Sequence, residues 1–453
     1  MKIIDNMTEW LYSNLDLVEE CKEKKLKPVI LIGGASSSGK SYTSKSLQNF
    51  LAEHGYKSII ISTDNYNKGL AENIFDIVNK KYYNNAIKNR PQITNEIKKV
   101  IINTDFDAKF DNFNLQQIKN TCRDLLHFDI NKFVEKLKYE FNHINFDNKN
   151  IYDLQEVAQD ITALISNKKI IEKKYSRMIS ERMEQSNIID GKNYDVIIIE
   201  GIYALTDEIT KNINEENLIK NFVDCNNKNL FLRRMIRDSA ITNCSKSFIL
   251  KNYLEFVMPE YIKTVLPSKQ CADIVLKNNM TFEELREGQV DIQNKYRLTI
   301  SQLKDLLINS KITKKLTQID IYFGSKEDDN ILRLREEKSG INYLTMKSLV
   351  YKGKPKMRKD KSIIRPKFVL ADENDLKNVF NSKEDLINQF KKAGITPIKV
   401  VEKKRWFLKY KGKEINIDFV NDNIIMELDS KIEKEIDNNL KTKKFEAQNY
   451  FEL

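Results

Sequence analysis

Eight consecutive residues have the types and spacing of a loop that surrounds a phosphate group. The segment Gly34-Ala-Ser-Ser-Ser-Gly39-Lys40-Ser41 fits the pattern GxxxxGK[ST] and separates a strand-like run from a helix-like segment. Glycines let backbone N–H groups wrap a phosphate, and the following helix adds the positive end of its dipole. The alternative, a Ser/Gly-rich turn that matches by chance, is disfavoured by this strand and helix context. The pattern predicts phosphate contacts from Gly34, Ser36, Ser37, Ser38, Gly39, Lys40 and Ser41.

Two acidic residues stand where predicted strands end, at the edge at which open α/β sheets bind substrates. Asp64 follows the apolar run 58–62, and a carboxylate there would accept a proton from an attacking hydroxyl. Its alternative role is to cap a helix. Glu200 ends the run 196–200, where it would orient Mg²⁺ together with the Ser41 hydroxyl. An acid exposed at a strand end is the alternative for Glu200.

Three arginines share one predicted helix. Arg233 and Arg234 are spaced four and three residues before Arg237, so their side chains lie beside it. Guanidinium groups in that arrangement suit phosphoryl oxygens, and we predict catalytic roles for Arg234 and Arg237 beside Lys40. The usual alternative is a solvated helix face.

The elements that position these residues read as alternating strands and helices. Apolar strand-like runs occupy 28–33, 58–62, 194–200, 218–224 and 272–276, and a helix-patterned segment lies at 41–53. Alternation of this kind predicts an α/β fold with a mostly parallel sheet. The polar, helix-patterned stretch at about 70–143 predicts a helical insertion, since a structureless loop of that length would be improbable.

In this order and spacing the motifs resemble the uridine kinase and phosphoribulokinase family of P-loop kinases over about 26–280. The resemblance rests on the stretches 33–41, 61–66, 145–153, 197–205 and 233–238, with further matches at Tyr175, Arg182 and 253–273. It implies ATP and Mg²⁺ as cofactors, a small-molecule hydroxyl as acceptor and Asp64 as general base. By the same resemblance, acceptor contacts come from Tyr66, Asp147, Tyr175 and Arg182.

One departure from that family leaves the acceptor open between nucleosides and similar small molecules, and a second removes an arginine that the family uses near ATP. The family's His-Pro-Asp is Asn148-Lys149-Asn150 here, and its Arg-Gly-Arg is Asn243-Cys244-Ser245.

The region 285–435 changes to alternating apolar and polar residues, which predicts an antiparallel sheet or barrel. Asp291, Gln293 and Lys295 occupy alternate positions of one strand and therefore share a face. Basic residues facing acids inside a barrel would bind a polyphosphate and a divalent metal. Periodicity alone favours the alternative, an antiparallel sheet with an ordinary solvated charged face.

The linear order of these motifs resembles the CYTH, or triphosphate tunnel metalloenzyme, family. That resemblance implies an α+β antiparallel barrel whose tunnel binds phosphates through Asp291, Gln293, Lys295, Arg333, Arg335, Lys347, Arg405, Asp418, Glu427 and Asp429. The family's opening ExExK is reduced here, because an aspartate and a glutamine replace its glutamates. Two further functions therefore remain open: hydrolysis of a tri- or pyrophosphate, and a non-catalytic polyphosphate sensor that regulates the kinase.

Composition sets the outer bounds. The chain has 453 residues and a net charge of +11, and its five cysteines and three histidines disfavour a disulfide framework or a zinc site. We expect a cytoplasmic protein without signal peptide or membrane span, with a nucleotide and a small-molecule acceptor rather than nucleic acid as partners. A homo-oligomer is left open. The predicted organisation is an N-terminal helix (1–25), a kinase domain (26–280), a tunnel domain (285–435) and a charged tail (436–453).

Overall fold

The computed structural model describes most of the chain. The residues outside its description are 104–110, 124–128, 184–186, 212, 243, 280–289, 325–329, 338–339, 349, 352–362, 430–431 and 444–453. Side chains are also outside it at 113, 290–293, 330–331, 340–343, 346–348, 350–351 and 363–368. The described residues form two units, Met1–Asn226 with Arg233–Asn279, and Asn227–Leu232 with Met280–Leu453. The predicted boundary at 280–285 and most of the predicted tail lie outside the described residues.

The first unit is built on a parallel sheet. Its strands in chain order are β1 (Lys2–Ile4), β2 (Val29–Gly34), β3 (Ser58–Ser62), β4 (Lys169–Ile171), β5 (Lys174–Ser176), β6 (Glu181–Met183), β7 (Ile188–Asp190), β8 (Val196–Glu200), β9 (Leu218–Asp224) and β10 (Ile274–Lys277). Six of them pair in parallel in the order β1-β10-β9-β2-β8-β3. The pairs β4–β7 and β5–β6 are small antiparallel ladders. This confirms the predicted α/β class.

Helices cover this sheet and form the insertion, except that the first six residues of the helix at 227–241 belong to the second unit. They are α1 (Met7–Glu23), α2 (Lys40–Glu53), α3 (Leu70–Tyr83), α4 (Arg90–Asn103), α5 (Asn112–Cys122), α6 (Ile130–Asn142), α7 (Leu154–Ile165), α8 (Asp207–Thr210), α9 (Asn227–Ile241), α10 (Lys246–Asn252) and α11 (Met258–Glu260). Helices α3 to α6 share an apolar core that includes Phe75, Ile97, Phe133 and Leu137. The predicted helical insertion is therefore confirmed as a packed bundle.

The N-terminal segment differs from the single helix that we predicted. Strand β1 precedes α1 and pairs in parallel with β10, with Lys2 opposite Ile274. Helix α1 then begins after the N-cap Asn6, whose side chain accepts two backbone N–H groups. From this helix, the buried Trp10 Nε1 donates to Asn221 Oδ1 on β9 at 2.8 Å. Both pairings fix the first twenty residues to the sheet.

The second unit is an antiparallel barrel. Its strands are β11 (Val290–Leu298), β12 (Ser310–Phe323), β13 (Asn330–Glu337), β14 (Gly340–Ser348), β15 (Val350–Tyr351), β16 (Ile363–Asp372), β17 (Pro397–Tyr410), β18 (Lys413–Val420) and β19 (Asn423–Asp429). Its helices are α12 (Ile300–Ile308), α13 (Glu373–Val379) and α14 (Lys383–Lys392). The strand order β11-β19-β18-β17-β12-β13-β14-β16, with a further β11–β16 pairing, closes the sheet.

Alternation along the barrel strands, interrupted by register shifts such as the one between Ile312 and Lys314, divides them into two faces. Leu408, Ile417, Met426 and other apolar residues form a core with α12 and the segment that follows β19. The alternate residues carry charge, and because the sheet closes on itself, that second face lies inside the barrel. The predicted α+β barrel is confirmed.

Candidate functional site

The phosphate-loop backbone depends on its glycines. Gly34 and Gly39 have φ values of +141° and +101°, which residues with a side chain rarely adopt. A Cβ at Gly34 would lie 2.5 Å from the carbonyl oxygen of Val223, and one at Gly39 would lie 2.3 Å from Asn278 Nδ2. The loop therefore has room for these two residues only as glycines.

Side chains from two other elements hold the loop in place. Arg233 Nη1 and Asn278 Nδ2 both donate to the carbonyl oxygen of Ser38, at 3.0 and 2.8 Å. The buried hydroxyls of Ser37 and Ser38 have no hydrogen-bond partner among the residues that the structure describes. Buried hydroxyls without a partner, at a loop of this shape, fit a site in which a bound anion accepts their hydrogen bonds. Arg233 therefore supports the loop backbone. The sequence did not distinguish this role from the roles predicted for Arg234 and Arg237.

Lys40 is the buried cation of this loop. Its side chain is 7% exposed, and its Nζ donates to the carbonyl oxygen of Ala35 at 2.8 Å. Burial lowers the pKa of Lys40, while Glu200 and Asp64 act in the opposite direction. An additional anion beside Nζ would offset the burial and favour the charged form.

Oxygen atoms from two strand ends and from the start of helix α2 meet at Glu200. Ser41 Oγ donates to Glu200 Oε2 at 3.3 Å, and Ser62 Oγ donates to Oε1 at 2.5 Å. The register explains this, because Glu200 lies opposite both Ile32 and Ser62 on its neighbouring strands. Burial and the charge of Asp64 raise the pKa of Glu200. This all-oxygen set fits Mg²⁺, which prefers such ligands and usually keeps waters and phosphates as the others.

Asp64 forms an ion pair that the sequence did not predict. The carboxylate lies inside the short turn Thr63–Tyr66 and contacts the guanidinium of Arg177, in the turn that connects β5 and β6. Burial would raise the pKa of Asp64, but Arg177 and Lys40 outweigh it and keep the pKa below its ordinary value. The carboxylate is therefore ionised, as a proton acceptor must be, although Arg177 occupies one side of it.

The two predicted catalytic arginines meet at Asp238. Arg234 Nε and Arg237 Nε lie 2.5 and 2.7 Å from its two oxygens, which helps hold the pKa of Asp238 at about 2 despite its burial. Arg234 Nη1 also contacts Ser36 Oγ at 2.7 Å and Asp147 Oδ1 at 3.1 Å. Arg234 thus lies directly against the phosphate loop, and it brings the predicted acceptor residue Asp147 there.

The other predicted acceptor residues lie in a separate group. Tyr66 is buried and its hydroxyl donates to Asp160 Oδ2 at 2.8 Å. Tyr175 and Arg182 are directly opposite each other on β5 and β6, and Arg182 Nη2 donates to Glu156 Oε2 at 2.7 Å. The structure therefore brings Tyr175 and Arg182 together but pairs Asp147 with Arg234.

Buried ion pairs fill the described interior of the barrel. Each of three inward-facing carboxylates contacts at least two cationic side chains. The carboxylates are Asp320, Asp418 and Glu427, and the cations are Lys295, Arg333, Arg335, Lys403 and Arg405. Strand register creates the pairs, because Asp320 lies opposite Arg335, Asp418 opposite Arg405 and Glu427 opposite Lys295.

Six of the ten predicted tunnel residues belong to this set, namely Lys295, Arg333, Arg335, Arg405, Asp418 and Glu427. The predicted tunnel set did not include Asp320 and Lys403, although the DxYF and KxR patterns contain them. Asp429 is exposed at the end of β19. The side chains of Asp291, Gln293 and Lys347 lie outside the described residues.

Comparisons with known proteins match both units. The model of the Phosphoribulokinase / Uridine kinase family matches residues 102–283, and that of the CYTH domain matches residues 292–451. A uridine kinase from Mannheimia succiniciproducens is 32% identical over 146 residues, covering 31% of this chain and 65% of that protein. One from Limosilactobacillus reuteri is 30% identical over 165 residues, covering 36% and 69%.

The aligned region is only part of most of these proteins. The uridine-cytidine kinase A of Dictyostelium discoideum is 28% identical over 165 residues, which are 36% of this chain and 31% of that protein. Thus the alignments span less than two thirds of the first three relatives. A solved structure described as a possible uridine kinase from Bacillus stearothermophilus aligns at 14% identity, covering 58% of this chain and 99% of that one, with a TM-score of 0.28.

Proposed function

Because the chain belongs to the phosphoribulokinase and uridine kinase family and carries a CYTH domain, we propose that its first unit is an ATP- and Mg²⁺-dependent phosphotransferase. The acceptor would be a hydroxyl of a nucleoside or a similar small molecule. The observation that carries the proposal is the convergence of Lys40, the Ser41–Glu200 pair and Asp64 on one edge of the sheet.

Each residue has a distinct task in this reaction. The loop amides and Lys40 would hold the triphosphate, and Ser41 and Glu200 would hold Mg²⁺, which neutralises charge on the phosphates. Asp64, at the end of β3, would accept the proton of the attacking hydroxyl. Arg234 and Arg237 would stabilise charge on the transferred group. Phosphoryl transfer needs mainly such positioning and electrostatic stabilisation.

The acceptor must approach Asp64 from the side of the β5–β6 ladder. Tyr175 and Arg182 on that ladder, with the neighbouring Tyr66, supply an aromatic ring and hydrogen-bond donors there. The group also contains Glu156 and Asp160, so a neutral, hydroxyl-rich acceptor suits it better than a polyanion.

The kinase proposal is tested by substitution at the two ends of the reaction. Lys40→Ala is expected to reduce ATP-dependent phosphorylation of an acceptor about a hundredfold or more, and Asp64→Asn by a similar factor. Lys45→Ala is the matched control, because Lys45 is an exposed lysine on the same helix α2. The assay screens nucleosides, sugars and small alcohols with ATP and detects the phosphorylated product. Full activity in both variants would refute the proposal.

A second proposal concerns the barrel, which we infer to bind a polyphosphate. Five cationic side chains face three carboxylates among the described interior residues, so positive charge is in excess. Arginine and lysine in a desolvated site bind phosphate oxygens through charge-assisted hydrogen bonds. Whether the ligand is hydrolysed or only sensed is a separate question.

An experiment distinguishes these two outcomes. In a Lys40→Ala chain, phosphate release from tripolyphosphate that is lost on Lys295→Ala or Arg335→Ala would indicate hydrolysis in the barrel. Calorimetric binding without turnover, lost in the same variants, would indicate a sensor. Absence of binding would overturn the proposal for the barrel and leave the kinase proposal standing.

A further inference from the structure

Among the described residues, the three carboxylates inside the barrel, Asp320, Asp418 and Glu427, are all engaged by cations. Asp320 is fully buried and accepts two hydrogen bonds from Arg335, at 2.7 Å each, with Arg333 Nη1 at 3.5 Å. Burial alone would raise the pKa of Asp320, but Arg333 and Arg335 hold it far below its ordinary value. Both oxygens of this carboxylate therefore already have a close cationic partner.

The same holds for the other two acids. Asp418 is fully buried between Arg405, whose Nε lies 2.6 Å from Oδ1, and Lys403, whose Nζ lies 3.0 Å from Oδ2. Glu427 receives Arg405 Nη2 at 2.5 Å and lies 3.2 Å from Lys295 Nζ. Neither carboxylate offers an oxygen that lacks a positive neighbour.

This arrangement does not fit the divalent metal that the family name of the barrel implies. A hard cation needs several oxygen ligands gathered at one point, and it is repelled by ammonium and guanidinium groups held there. Among the described residues, no group of three or more Asp, Glu, His or Cys side chains could hold a metal ion. The cations would have to be moved away from buried carboxylates before a metal could enter, at a large electrostatic cost.

From this disagreement we propose that the barrel binds its polyphosphate as the free anion, without a divalent metal. The inference rests on the second proposed function and names the chemical form of its ligand. A metal-free triphosphate carries the full charge that Lys295, Arg333, Arg335, Lys403 and Arg405 can match, whereas a metal complex carries two charges fewer. The guanidinium and ammonium groups would turn part of their hydrogen bonding from carboxylate to phosphate oxygens.

Lys403 supports the same conclusion. Its side chain is 2% exposed, and burial together with Arg405 lowers its pKa to about 7, against the opposing effect of Asp418 and Asp320. The charged groups that face it come from four strands: Asp320 on β12, Arg335 on β13, Arg405 on its own β17 and Asp418 on β18. A polyanion would favour its protonated form, so binding would take up a proton where a metal would instead expel it.

The test uses the full-length chain with Lys40→Ala, so that the phosphate loop does not contribute to binding. Tripolyphosphate is titrated by calorimetry at pH 6.5, once with EDTA and once with excess Mg²⁺. We expect binding in EDTA at least as tight as in Mg²⁺. Binding only in Mg²⁺ would overturn this inference while leaving polyphosphate binding intact. Failure to bind under both conditions would overturn the proposed function of the barrel as well.

A matched pair of variants locates the ligand. Lys403 faces the interior and the adjacent Lys404 is exposed on the opposite face of β17. Lys403→Met is expected to weaken binding about tenfold to a hundredfold, the usual range for a lost charge-assisted hydrogen bond, while Lys404→Met changes it little. Asp320 and Asp418 each keep an arginine in the first variant, which favours folding. Lys295→Met, at a separate ion pair, is the second variant. If Lys403→Met and Lys404→Met weakened binding equally, that result would contradict an interior site.

Discussion

Asp320→Asn is the substitution whose effect follows most directly from the barrel structure. Asparagine keeps the size of the side chain and one acceptor oxygen, but it removes the negative charge. Arg335 then loses one of its two charged hydrogen bonds, and Arg333 and Lys403 lose an attractive neighbour at 3.5 and 3.8 Å. The variant therefore leaves buried positive charge without its nearest counterion on β12.

The expected loss is about 3 kcal/mol in the free energy of unfolding of the barrel. Removal of one partner from a buried ion pair typically costs about 3–5 kcal/mol, because the other charge stays buried without compensation. The lower end applies here, since the amide oxygen still accepts one hydrogen bond. Solvent screening does not reduce the effect, because Asp320 is 0% exposed. Asp422→Asn, in the exposed turn between β18 and β19, should change stability by less than about 0.5 kcal/mol.

Urea unfolding followed by tryptophan fluorescence measures this loss. The chain has two tryptophans, Trp10 and Trp406, and the second lies in the barrel with its ring 4.7 Å from that of Phe419. A Trp10→Phe background makes the signal specific for the barrel in both the reference and the variant. A loss below about 1 kcal/mol would refute the view that Asp320 is the counterion of these arginines.

Ligand and pH provide two further checks on the same variant. Tripolyphosphate at a hundred times its Kd should restore about 2.7 kcal/mol, because it supplies negative charge to the same cations. The pKa of Asp320 is lowered in the folded state, so its stabilising contribution is complete above the unfolded pKa of about 3.9. The difference between reference and variant should therefore shrink as the pH falls below about 4, and also as the pH rises through about 7, where Lys403 loses the charge that Asp320 stabilises.

Three other predictions concern single residues. Arg177→Gln should increase ATP hydrolysis in the absence of acceptor, because it frees Asp64 from its ion pair, and Arg177→Lys should restore the low rate. A single-turnover assay of phosphate release would detect either change. An unchanged rate in the glutamine variant would contradict this role of Arg177. Gly39→Ala should abolish nucleotide binding in a calorimetric titration, since a Cβ there meets another side chain at 2.3 Å, and retained affinity would show that the loop can adjust. Binding of tripolyphosphate should weaken about twentyfold between pH 6.5 and 8.5, because Lys403 loses its proton in that range. If a Lys403→Met chain showed the same pH dependence of binding, Lys403 would be excluded as the group responsible.

The sequence predicted those parts of the fold that local patterns determine. Strand β2 and the phosphate loop follow from an apolar run that ends in Gly34 and a motif with fixed spacing, and the barrel strands follow from period-two alternation. Strand β1 was not predicted because its three residues carry too little pattern, and it forms only through its pairing with β10. That pairing is a long-range contact, which local propensity does not determine.

In the candidate sites, too, the residues specified by local sequence were predicted and those specified by long-range contacts were not. Lys40, Ser41 and Glu200 were predicted because a motif or a strand end specifies each of them. Arg177 was not, because a turn between two short strands places it against Asp64, and nothing in the local sequence indicates that contact. The pairing of Asp147 with Arg234 likewise depends on how distant segments pack.

In the barrel, the residue types were predictable but their partners were not. The resemblance to the tunnel family implied inner positions for Lys295 and Arg335, whereas the strand register decides that they contact Glu427 and Asp320. Register arises from closure of the whole sheet, and a shift by one residue would turn every charged side chain outward. The engagement of all three described carboxylates could therefore be found only in the structure.

The parallel pairing of β1 with β10 also affects how the first unit can assemble. Lys2 meets Ile274, so the outermost strand of the sheet can be added only when nearly the whole unit is present. Contacts this distant in sequence form slowly, because a long loop must be closed before the pairing stabilises it. Until then, β10 has an unpaired edge, and such an edge can pair with another chain. By pairing with β10, strand β1 thus occupies the edge of that strand and limits association through it during folding.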